Sequence, residues 1–183
     1  MSEFKRIRIA KIDAAKSQLI EAIRLLFEER DPVSVHTLAQ ASLQIIYDHF
    51  VPSDVHAKKL MMHYNSVFVK DEFRKQAHAA WMEPKNFFKH ADRDLKSGNS
   101  SLDFWVESNE YIIFEAVRCL EMIQADEFVN EPEFRVFMAW FVLKYPDFFE
   151  EETKRKMSSF SDLDCGDLTV FRMAIELNKT SST

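Results

Sequence analysis

The sequence predicts an all-α protein, an antiparallel bundle of about six or seven helices. Three observations carry this expectation. Apolar residues recur at three- and four-residue intervals through most of the chain. Only 2 glycines occur among 183 residues, which leaves little material for tight hairpins or Gly-rich phosphate loops. The Asp31-Pro32, Glu131-Pro132 and Tyr145-Pro146 pairs and the Ser/Gly/Asn cluster at Ser97 to Ser101 punctuate the periodic stretches.

The elements follow in order. Ile12, Ala15, Leu19, Ile23, Leu26 and Phe27 share one stripe and predict a helix from about Ile9 to Arg30. Asp31-Pro32 then supplies a cap and a first-turn proline for a second helix to about Phe50. Its inner stripe is expected to hold Val35, Leu38, Ala39, Ser42, Ile45, Ile46 and His49. So short a connection predicts an antiparallel hairpin. A third helix is expected over Val55 to Phe68 and a fourth from near Asp71, with a break or kink at Pro84. After the Lys96 to Ser101 loop, a long helix capped by Asp103 or Ser101 should reach Ala125, with Trp105, Ile112, Ala116, Val117, Leu120 and Ile123 inward. The helix between Pro132 and Tyr145 is apolar nearly all round, which predicts burial on more than one side. A short acidic surface helix (Asp147 to Lys156), a loop (Ser158 to Gly166) and a last helix (Leu168 to Leu177) complete the chain, with Asn178 to Thr183 frayed.

Composition narrows the function classes. With 46% hydrophobic and 30% charged residues, the chain reads as an ordinary soluble globular protein, most simply one domain over residues 1–183. A net charge of -6 gives no global attraction for nucleic acid, so a phosphate-binding surface must be local. Two cysteines, Cys119 and Cys165, make neither a disulfide framework nor a zinc knuckle. The absence of a signal-like or membrane-length apolar run makes the cytoplasm the expected location.

The densest chemistry lies in Pro84-Lys85-Asn86-Phe87-Phe88-Lys89-His90-Ala91-Asp92-Arg93-Asp94. Wound as a helix, it gathers Pro84, Phe87, Phe88, Ala91 and Leu95 on an apolar stripe, and Asn86, His90 and Arg93 on another face. Asp94, one turn after His90, can accept its hydrogen bond, and Lys89 can pair with Asp92. His36, early in the second helix, joins this cluster if the two helices are neighbours; otherwise it is a half-buried histidine bonded to a carbonyl or hydroxyl.

Two features together resemble the HEPN superfamily of small helical-bundle proteins. The opening hairpin, Ala14-Ala15-Lys16-Ser17-Gln18-Leu19-Ile20-Glu21-Ala22 followed by Val35-His36-Thr37-Leu38-Ala39-Gln40-Ala41-Ser42, looks like its first two helices. Lys85-Asn86-Phe87-Phe88-Lys89-His90 has the spacing of its hallmark, an arginine, a polar residue and a later histidine. Lysine stands at Lys85 where the family has arginine. The resemblance covers about residues 9–125 and leaves extra helices over about 131–178. It implies a homodimeric, metal-independent endoribonuclease without cofactor: His90 as general acid or base, Asn86 positioning the phosphate or the histidine, and Lys85 stabilising developing charge. Lysine lacks arginine's bidentate fork, so the resemblance equally implies a catalytically impaired relative that binds RNA or nucleotide. Whether the chain is an enzyme stays open at this point. A helical protein-interaction module with Phe-rich surfaces is the alternative from a different class.

Other candidates are weaker. His49, His56 and His63 recur every seven residues, but two turns of helix separate His56 from His63 by about 10 Å, too far to share a metal ion. Arg74 with His78 forms a second basic–histidine pair with one residue too few between them. The basic run Lys5 to Lys11 is expected to be a solvated arm, and Cys119 a packed small hydrophobe.

Overall fold

The structure, a computed structural model, describes Phe4 and residues 6–50, 82–89, 101–123, 131–160 and 162–180. Among them every regular element is helical, as the periodicity predicts. Six helices are α1 (Lys11–Phe27), α2 (Pro32–Phe50), α3 (Ser108–Ile123), α4 (Pro132–Lys144), α5 (Glu151–Met157) and α6 (Leu168–Thr180). A short helical segment over residues 82–87 lies between α2 and α3 in the sequence. No helix of the described residues is long and apolar enough to cross a membrane.

The α1–α2 hairpin is locally encoded. Glu29 takes a left-handed conformation (φ 52°), and the Glu29 and Arg30 amides donate back to the carbonyls of Leu26 and Leu25, closing α1. Asp31 then caps α2: its carboxylate accepts the Val33 and Ser34 amides and the Ser34 hydroxyl. Those hydrogen bonds, that of the Ser34 side chain first, hold the Asp31 carboxyl below the usual carboxylate range. The two helices pack along their length through Ala15, Leu19, Ala22 and Ile23 of α1 against Val35, Ala39, Leu43 and Ile46 of α2. The buried Ser42 hydroxyl donates to the Ala15 carbonyl at 2.8 Å.

The C-terminal helices share this core. Phe27, at the end of α1, meets Trp140 edge-on at 5.5 Å and stacks on Phe171 at 6.0 Å. Phe137 and Phe141 are buried beside them, and the Trp140 indole donates to the Cys165 carbonyl at 3.0 Å. Each large aromatic buried here contributes about 2–3 kcal/mol of hydrophobic stabilisation. The predicted burial of α4 on more than one side is observed, since α1, α3, α5 and α6 all contact it.

Two expectations are corrected. The long helix after the loop begins at Ser108, not at a cap near Ser101 or Asp103, because residues 101–105 run without regular structure before a turn at 106–107. Trp105 is consequently 63% exposed rather than inward, its ring tilted against Tyr111 at 5.8 Å. His49, placed on the inner stripe of α2, is exposed. The helices assigned to residues 55–81 lie outside the described residues.

Candidate functional site

The site forms where residues 82–89 pack against α2. Pro84 sits in the first turn of the segment, where a missing amide is harmless. Its carbonyl accepts the Phe88 amide at 2.9 Å. The apolar residues Phe87 and Phe88 are only half-buried, whereas Lys85 is 9% exposed. The lysine faces a polar ladder along α2: His36, Gln40, Gln44 and Asp48 recur every fourth residue and share one side of the helix.

Each rung has a defined state. The Lys85 ammonium donates to Gln44 Oε1 at 2.5 Å, and Gln44 Nε2 donates to the exposed carboxylate of Asp48 at 2.8 Å. Lys85 makes no ion pair among the described residues. Burial lowers its proton affinity, the nearby Lys89 charge lowers it further, and only Asp48 works the other way. Gln40 is 3% exposed. Gln40, Leu43, Gln44, Tyr47 and Lys85 line a recess of about 10 Å³, room for about one water molecule.

His36 closes the other end. It is 1% exposed, with its ring edge-on to Phe88 at 5.4 Å and to Phe104 at 5.1 Å. Asn109 Nδ2 donates to the Pro32 carbonyl at 2.9 Å, which turns Asn109 Oδ1 toward the ring. His36 therefore donates from Nδ1 to that oxygen at 2.9 Å and keeps its lone pair on Nε2. Nε2 is buried without a hydrogen-bond partner among the described residues. Burial depresses the His36 pKa, the Asn109 hydrogen bond opposes this, and the charges of Lys89 and Lys85 reinforce it.

Of the residues singled out by sequence, the structure brings Lys85, Lys89 and His36 into one neighbourhood; Lys89 is exposed and Asn86 half-buried. His90, Arg93 and Asp94 lie outside the described residues, as do His56, His63, Arg74 and His78. No family model, curated protein or solved structure matches the chain. The site must therefore be read from its own chemistry.

Gln40, Gln44, Tyr47 and Asn109 are the participants that sequence reasoning missed. The α2 ladder is present in the sequence, but Gln and Asp at four-residue intervals equally describe a solvated helix face. Asn109 bonds His36 across 73 positions, a pairing that no local pattern encodes. Among the described residues no three His, Cys, Asp or Glu side chains converge on a metal-sized point. Cys119 is buried in α3, and burial pushes its thiol up to about 12, so it is no nucleophile at neutral pH.

Proposed function

We propose that this chain is a HEPN-like helical protein that binds RNA or nucleotide as a dimer without cleaving it. One observation carries the reading: Lys85 is a buried ammonium with an amide rather than a carboxylate for a partner, beside a second lysine, Lys89. In a chain of net charge -6, this is a local positive potential of the kind that holds a phosphate group. The same placement argues against cleavage. A lysine fixed against Gln44 is a single point charge that holds ground state and transition state alike, and such uniform binding gives affinity without rate.

The test is an RNA-retention assay beside a ribonuclease assay in chelator, on the full chain and on His90→Ala, Lys85→Arg and Lys89→Ala. Retention without cleavage, weakened several-fold in Lys89→Ala, is expected. Cleavage that disappears in His90→Ala would replace this reading with a ribonuclease.

A second reading has its own support. Val170, Met173 and Leu177 form an exposed apolar stripe on α6, with Phe160 and Leu163 exposed just before it. That surface suits a non-enzymatic interaction module. A stable complex with a protein partner, together with no RNA retention, would favour it.

A further inference from the structure

We infer that the recess between α2 and residues 82–89 is an oxyanion subsite that receives one oxygen of a phosphate group. Gln40 and Lys85 are its donors, and Gln44 is the residue that orients the lysine. The inference rests on the RNA-binding reading for the source of the phosphate; the recess itself is argued from its own residues.

Three independent features converge. First, Lys85 is more than nine-tenths buried and spends one of its three N–H donors on Gln44, with no carboxylate in contact among the described residues. A buried cation left in this state favours any anion that can reach it. Second, Gln40 is 3% exposed as a residue and lines the recess. An amide that borders the recess can donate to an acceptor placed there. Third, the recess admits about one water-sized atom. A whole nucleotide does not fit, but a single non-bridging phosphate oxygen does, with the rest of the ligand lying outside against exposed Lys89. Leu43 forms an apolar wall of the recess. Asp48 does not neutralise the site directly, because its carboxylate is exposed and is engaged by Gln44.

The experiment is a titration of the full chain with inorganic phosphate, followed through the side-chain amide signals of Gln40 and Gln44 in an NMR spectrum. Parallel arms use acetate and a short RNA with blocked ends. Saturable movement of both amides with phosphate and with RNA, and at least ten-fold weaker binding of each in Gln40→Leu, is expected. Gln40→Glu places a carboxylate in the recess beside Lys85, so it should abolish phosphate binding while leaving the fold intact by circular dichroism. This second variant keeps the test decisive if Gln40→Leu unfolds. Equal phosphate affinity in Gln40→Glu and the unsubstituted chain, or movement confined to surface lysines, overturns the inference. If blocked RNA binds but the Gln40 amide does not respond, the subsite is wrong while the RNA reading stands. If phosphate moves the amides but RNA does not, the subsite stands and serves free phosphate. A response to acetate as strong as to phosphate would overturn the phosphate assignment.

Discussion

Two buried charges in this molecule are treated in opposite ways. Glu133, on α4, is 1% exposed and fully compensated: Arg24 donates to its Oε1 from Nε at 2.9 Å and from Nη2 at 2.7 Å, and Lys179 approaches the same oxygen at 3.1 Å. Burial alone would raise its pKa, but the hydrogen bond from Arg24 and that from Lys179 outweigh it and hold the carboxyl below its ordinary range. The network pins α1, α4 and α6 together. Lys85, at 9% exposed, has one amide oxygen as its partner among the described residues. The first arrangement is what stability requires of a buried ion. The second leaves binding capacity unspent, and His36 Nε2, buried with no hydrogen-bond partner among the described residues, repeats the pattern. The difference separates a structural charge from a candidate functional one.

Substitutions can break this contrast. The largest effect is expected for Glu133→Ala, which strands Arg24 and Lys179. Both cations are partly exposed, so the loss is discounted to about 2–3 kcal/mol, a fall in Tm of roughly 5–10 °C. Because the folded pKa of Glu133 is depressed, its contribution is complete above the unfolded value and disappears as pH falls through the folded one. Chemical denaturation at neutral and acid pH should therefore show the variant's deficit shrinking in acid. Trp140→Phe, next in size, removes the donor to the Cys165 carbonyl and leaves a small void, costing about 1–2 kcal/mol by urea unfolding.

Lys85→Met should go the other way. Replacing an unpaired buried ammonium by an apolar side chain of similar length is expected to be neutral or to stabilise by up to about 1 kcal/mol, while RNA retention falls. A loss of stability as large as that of Glu133→Ala would erase the distinction between the two charges. The smallest effect concerns His36. Its folded pKa lies below the unfolded value near 6.5, so its contribution is complete above that pH and is lost as pH falls toward the folded value. His36→Gln, which keeps a donor for Asn109, should flatten the stability profile just below pH 6.5. An unchanged slope there would mean that the buried ring does not titrate with folding.

How much of this was legible in the chain differs by region. The α1–α2 hairpin was, because Asp31-Pro32 caps and starts α2 and the apolar stripes have helical period. Trp105 departs from its stripe because periodicity extends a stripe without marking where the helix begins. At the candidate site, the spacing from Lys85 to His90 singled out the segment, but not the burial of Lys85 or its partner Gln44, 41 positions away. Four-residue spacing on α2 shows which residues share a side, not whether that side meets water or another helix.

The sequence by itself determined the helical class, the hairpin and the density of aromatic residues, since these follow from local periodicity, capping and composition. Only the tertiary structure decided that, among the described residues, two cations meet Glu133 while Lys85 has one amide partner and His36 Nε2 has none. Satisfaction of a buried polar group depends on what arrives from distant parts of the chain, and desolvation turns that arrival, or its lack, into free energy.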